Sequence, residues 1–119
     1  MSFVTWVQSI FSPRGKALAL YRRGMAKANR QDYHGAIADY SVAIRAPHIP
    51  NDVKAMAIYN RALAYSAIHE DARAAEDLAV VLEMPGLPGN IKTHAQQRWE
   101  RIRQRDERRM DGSDGVTNG

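Results

Sequence analysis

The sequence predicts an all-α fold, a superhelix of two stacked helical hairpins followed by a C-terminal capping helix. Two observations carry that prediction. Sliding the chain against itself by 38 positions superimposes Ala17 on Ala55, Ala19 on Ala57, Tyr21 on Tyr59, Arg23 on Arg61 and Ala26 on Ala64, and continues through Ala36 on Ala74, Asp39 on Asp77, Val42 on Val80 and Pro47 on Pro85. A period in this range marks hairpins that stack to share a core. Within each copy the apolar residues recur at helical spacing, and a proline stands just past the second helix.

Residues 1–12 come first. Phe3, Trp6, Val7, Ile10 and Phe11 fall at i, i+3, i+4, i+7 and i+8, the pattern of a short one-sided helix. No positive residue precedes this apolar stretch, Gln8 and Ser9 interrupt it, and no small-x-small cleavage site follows, so a secretory leader is not expected. The segment reads as a cap over the edge of the domain. Contact with a membrane surface through residues 3–11 is the alternative, with Arg14 and Lys16 supplying nearby charge.

The helical domain is expected over residues 13–110. Ser12 and Pro13 make an N-cap and first-turn pair, which starts a helix running to about Ala28. Asn29 to Asp32 form the turn, and Asp32 caps a second helix carrying Tyr33, Ala36, Ile37, Tyr40, Ala43 and Ile44 before Pro47. In the second copy Asn51 or Asp52 caps a helix to about Ile68. His69 and Glu70 turn the chain, and Asp71 to Glu83 precede Pro85. "PGLPGN" forces a loop, with Asn90 capping a fifth helix from about Ile91 to Arg109. The tail over residues 111–119, "DGSDGVTNG", has one apolar residue and is expected to be disordered.

Gly24 sits inside the first helix, where glycine costs roughly 1 kcal/mol relative to alanine. The expectation is a close helix–helix approach, with Ala36 and Ala74 as the opposing small positions. Ala62, at the equivalent place in the second copy, implies that alanine serves there as well as glycine.

Composition narrows the function. The 119 residues suit one domain, with no cysteine for disulfides, thiolate metal sites or thiol chemistry, and a cytoplasmic location is the expectation. The net charge of +4 and pI near 9.7 come mainly from arginine. Arg98, Arg101, Arg103, Arg105, Arg108 and Arg109 crowd one stretch, diluted by Glu100, Asp106 and Glu107. No apolar run approaches the roughly 20 residues that span a bilayer.

"RRG" at 22–24 followed by "AIADY" at 36–40, and "NRA" at 60–62 followed by "AAEDL" at 74–78, resemble the tetratricopeptide repeat in its Asn-Arg-Gly variant. The resemblance covers about Ala17 to Pro85, with repeats at about 17–47 and 55–85 and a solvating cap at about 91–109. The second copy departs from the pattern, with Asp71 for a tyrosine and Ala62 for the glycine. The period exceeds the usual 34 or so residues because the "APHIPND" linker is long.

The resemblance implies a concave groove lined by the first helices of the hairpins, where extended peptides or partner helices bind. Carried over by position, it presents Tyr21, Arg22 and Met25, then Tyr59, Asn60 and Leu63, then Gln97, Arg98 and Arg101. Aromatic, methionine and guanidinium groups together suit a protein or peptide partner that is acidic or has a free C-terminal carboxylate. The chaperone-tail clamp of this family expects lysine and asparagine where Tyr21 and Met25 stand, which argues against that ligand.

Arg23 and Arg61 face Asp39 and Asp77 at repeated positions, and two ion pairs within the hairpins are expected. Catalysis finds little support. His34, His48, His69 and His94 lack metal-ligand spacing, and Ser41 and Ser66 have no glycine-flanked elbow. "GLPGN" lacks the lysine of a phosphate loop, and helix capping explains Glu70 and Asp71. The reading is therefore a binding module that is not an enzyme and needs no metal or cofactor.

Nucleic-acid binding through the arginine-rich last helix is the alternative, disfavoured because acidic residues dilute the charge and only Trp99 interleaves. Trp99 is read as the core anchor of the cap. Two hairpins expose end faces, so a monomer or weak homodimer is expected, depending on residues 1–12.

Overall fold

The computed structural model describes residues 13–117, with side chains described over residues 14–111. The short helix expected over residues 3–11, and with it the expected dependence of association on residues 1–12, lies outside them. Five helices follow in order: α1 (Pro13–Asn29), α2 (Tyr33–Arg45), α3 (Asn51–Ala67), α4 (Asp71–Leu82) and α5 (Gly89–Thr117). No strand occurs among the described residues, so the fold is all-α. α1 packs on α2 and α3 on α4, giving two hairpins; α2 joins the hairpins by packing on α3, and α4 carries α5.

The two hairpins turn in the same way. Lys27 O accepts from Asp32 N at 2.8 Å, and Tyr65 O from Glu70 N at 2.9 Å. The residue before each of these donors is left-handed, Gln31 at φ 65° and His69 at φ 63°. The linkers repeat a second such position, His48 at φ 64° and Gly86 at φ 92°. Two of the four histidines therefore occupy strained turn positions that histidine tolerates better than most side chains do.

Asp32 caps α2 as expected, its Oδ1 accepting from Gly35 N at 3.0 Å. Asn51, Asp52 and Asn90 lie inside the helices rather than at their N-caps, although Asp52 Oδ1 accepts from Val53 N in the first turn of α3 at 2.9 Å. α3 already begins at Asn51, and Pro50 stands at its N-cap with no side-chain bond, its carbonyl accepting from Lys54 N at 2.9 Å. α5 begins at Gly89, where Pro88 O accepts from Lys92 N at 2.8 Å. In both places a proline leads the chain into the helix, and its carbonyl accepts the first i+4 bond as any N-cap carbonyl does. α5 also passes Arg109 and runs to Thr117, through residues expected to be disordered. Once a helix is nucleated each further residue adds a hydrogen bond without a new nucleus, and no proline stops this one.

The core is centred on the second hairpin. Ala55, Ile58, Tyr59 and Ala62 of α3 pack with Ala74, Leu78 and Val81 of α4 and with Ala95 and Ile102 of α5. Trp99 packs against this cluster from α5, as expected for a cap anchor, and Ile44 does so from α2.

Gly24 is explained by a different neighbour from the one expected. A Cβ on Gly24 would lie 2.6 Å from Cε1 and 2.7 Å from Cδ1 of Tyr40, a ring only 1% exposed. Ala36 is not the group opposite, and alanine does not simply fit. In the second hairpin the equivalent pair is Ala62 and Leu78, so a larger residue on one helix is matched by a smaller one on the other.

Both expected ion pairs are present and bidentate. Arg23 donates from Nε and Nη2 to Asp39 at 2.8 Å each, and Arg61 donates from the same atoms to Asp77 at 2.8 Å each. Lys27 Nζ adds a contact to Asp39 at 3.1 Å. Arg61 also reaches between hairpins, where Nη1 donates to Ser41 Oγ on α2 at 3.0 Å.

Hydrogen bonds from Arg23 hold the Asp39 carboxyl below the usual carboxylate range, against the upward push of burial and with help from Lys27. A carboxyl depressed in the fold contributes stability above its unfolded pKa of about 4, and loses that contribution as pH falls through its folded value. Asp39→Asn should therefore lower the melting temperature at pH 7, and the gap from the parent should close as pH drops below about 4. An equal gap at pH 7 and pH 2.5 would refute this assignment.

Candidate partner-binding groove

α1 and α3 lie side by side, and their contact is made by two residues expected in the groove. Asn60 Nδ2 donates to Tyr21 Oη at 3.1 Å. The Tyr21 ring in turn lies 6.1 Å from that of Tyr40, tilted by 43°. Burial raises the Tyr21 hydroxyl and the Asn60 hydrogen bond partly opposes it, while Tyr40, deeper, is pushed up to about 12. Both rings stay neutral at physiological pH.

The other groove residues divide by exposure. Arg22, Gln97, Arg98 and Arg101 are exposed, and Met25 and Leu63 are half-buried, Leu63 against the core cluster. Tyr59 does not belong to a contact surface. It is 7% exposed and packs inside the core with Ala62 and Leu78. Its copy-one equivalent, Tyr21, is half-buried because no helix among the described residues lies on the far side of α1.

Five of the thirteen arginines form ion pairs among the described residues. Arg23 and Arg61 serve the hairpins, Arg103 pairs with Glu107 at 3.3 Å and stacks over Trp99 at 4.7 Å, and Arg105 and Arg109 hold Asp71 at 3.3 and 2.9 Å. Asp71 is 5% exposed, and Glu70, at the α4 N-cap, makes no side-chain cap bond, so helix capping explains neither acid. Thirty-eight residues after Tyr33, Asp71 pins α4 to α5.

The other eight, Arg22, Arg98 and Arg101 among them, form no ion pair among the described residues. Arg98, Arg101 and Arg105 recur at i, i+3 and i+7 on one face of α5. With Ser66 of α3 and Ile102 they line a cavity of about 60 Å³. That space is ample for ordered water, which needs roughly 10–15 Å³ by the same measure. Ser66 and Arg105 were not among the residues expected here; the i, i+3, i+7 spacing was the signal that could have added Arg105.

Among the described residues no group of three or more histidines and acids is placed to hold a metal, and no helix is long and apolar enough to cross a membrane. His34, His48, His69 and His94 are all exposed. No protein-family model, curated protein or solved structure matches this chain.

Proposed function

We propose that the hairpins are tetratricopeptide-like repeats in a superhelical stack, and that the chain is an interaction module or adaptor taking a carboxylate-bearing peptide or partner helix in a groove formed by α1, α3 and α5. The observation that carries this reading is the cleft on α5, where the arginines divide: Arg103, Arg105 and Arg109 already have carboxylate partners, while Arg98 and Arg101, which line the cleft with Ser66, keep guanidinium donors free. Arginine binds carboxylate bidentately, and half-buried Tyr21 and Met25 offer apolar area beside it.

The same division weakens the nucleic-acid alternative. Three of the six arginines crowded in α5 are already paired with acids, which leaves less charge for phosphate contacts.

The test is a pull-down from the native cell with the parent and with Arg98→Glu/Arg101→Glu, both exposed positions where folding should be unaffected. Partners should be lost from the variant. A partner set retained in full would end the groove reading, and steeply salt-dependent duplex or single-strand binding in anisotropy titrations would replace it with the alternative.

A further inference from the structure

The last helix repeats one grip along its length. Arg101, Arg105 and Arg109 stand at i, i+4 and i+8 along one face of α5, each about 6 Å further along the axis at 1.5 Å per residue. The chain itself fills the upper pair of this ladder. Arg105 Nη2 donates to one oxygen of Asp71 at 3.3 Å and Arg109 Nη2 to the other at 2.9 Å, so two guanidinium groups bridge a single carboxylate. The Asp71 side chain is buried while both arginines remain largely in water. Two arginines four residues apart on this helix thus already take one carboxylate from the facing element, one oxygen each.

The lower pair, Arg101 and Arg105, has the same spacing and no carboxylate. Opposite it stands Ser66, in the last turn of α3 and five residues before Asp71, and the space between is the cleft of about 60 Å³ that Arg98 and Ile102 complete. Among the described residues the Ser66 hydroxyl and the Arg101 guanidinium make no hydrogen bond, and Arg105 makes the one to Asp71. A guanidinium carries five N–H donors, so that bond does not exhaust Arg105. Its Nε and Nη1 stay available on the helix face that lines the cleft.

We infer, resting on the proposed groove, that Arg105 is one of its binding residues, and that Arg101 and Arg105 bridge the partner's carboxylate as Arg105 and Arg109 bridge Asp71. Ser66 donates its hydroxyl proton to the same group, and Arg98 adds positive charge one turn away. Asp71 keeps its place meanwhile, because Arg109 holds its second oxygen. A bridge of this kind needs two acceptor oxygens, which a carboxylate has and a side-chain amide has not.

Acetate is the probe, with acetamide as its control. In the full chain carrying isotope-labelled arginine, read by nitrogen–proton NMR correlation, acetate exchanged for chloride at constant ionic strength should produce saturable shifts of the Arg101 and Arg105 Nε–H signals with one common affinity. Arg45, exposed and unpaired on α2, should show only the unsaturated drift of non-specific contact, and acetamide should move neither Arg101 nor Arg105. Arg105→Gln should weaken the acetate affinity read at Arg101 by about tenfold, the loss of one charge-assisted hydrogen bond. Arg108→Gln, which removes the same charge from an exposed place on α5, should leave that affinity unchanged. Saturable shifts at Arg98 and Arg101 with Arg105 unmoved, or an Arg105→Gln chain that binds acetate as the parent does, would overturn the inference and leave the groove standing. No saturable shift at any of the three would overturn both. The Arg105 signal of the parent chain is decisive by itself should Arg105→Gln fail to fold.

Discussion

Gly24→Leu is expected to destabilise the chain by about 3 kcal/mol or more, the upper part of the range for forcing a large side chain into a packed core. The isobutyl group would have to occupy the space of the Tyr40 ring, which lies within 2.7 Å of where even a Cβ would be and has no solvent-side room to retreat. Gly24→Ala is the more informative change. Helix propensity favours alanine by about 1 kcal/mol, but the added Cβ overlaps Tyr40, so the net effect should be a loss rather than a gain. Adding Tyr40→Leu should reverse the sign of the alanine substitution, since Ala62 with Leu78 already works in the second hairpin. A double-mutant cycle by urea denaturation should show coupling of about 1 kcal/mol or more between positions 24 and 40. Additive effects, or a leucine variant as stable as the parent, would show that this contact does not limit the hairpin.

Internal repetition explains what was legible in the sequence. Arg23 with Asp39 and Arg61 with Asp77 could be paired because two copies of one packing need leave the same residues at the same separation. The helix order and the Asp32 cap followed from local chemistry alone. What escaped was set by neighbours that a single copy does not reveal. Tyr59 and Tyr21 are identical in register, yet one is core and the other half-open, because α2 covers α3 and no described helix covers α1. Gly24 looked like a backbone contact because periodicity gives the face a residue is on but not which side chain of the facing helix fills the space. Asp71 looked like a cap because the arginines that bind it lie 34 and 38 residues further on, in a different helix. The prolines before α3 and α5 were read as loop residues, although Pro50 and Pro88 are themselves one period apart.

Arg61→Leu should cost about 2 to 4 kcal/mol, near the range for breaking a buried pair and discounted for partial exposure, and markedly more than Arg23→Leu. The two arginines make the same bidentate bond at the same distance, so the difference must come from their surroundings. Removing Arg61 strands the Asp77 carboxylate, whose side chain is 10% exposed and has no second cation among the described residues, and also removes the donor that ties α3 to Ser41 on α2. Removing Arg23 leaves Asp39 with Lys27 at 3.1 Å, and Arg23 itself is largely in water. Most of the Arg61 loss is thus the penalty of an unpaired buried charge rather than the value of the bond. Replacing both members by apolar residues, Arg61→Met with Asp77→Leu, should therefore recover most of the stability that Arg61→Leu loses. Equal losses for Arg61→Leu and Arg23→Leu in the same denaturation assay would mean that burial does not distinguish the pairs. A double variant no better than Arg61→Leu would mean that the lost donor to Ser41, and with it the junction between hairpins, outweighs the stranded carboxylate.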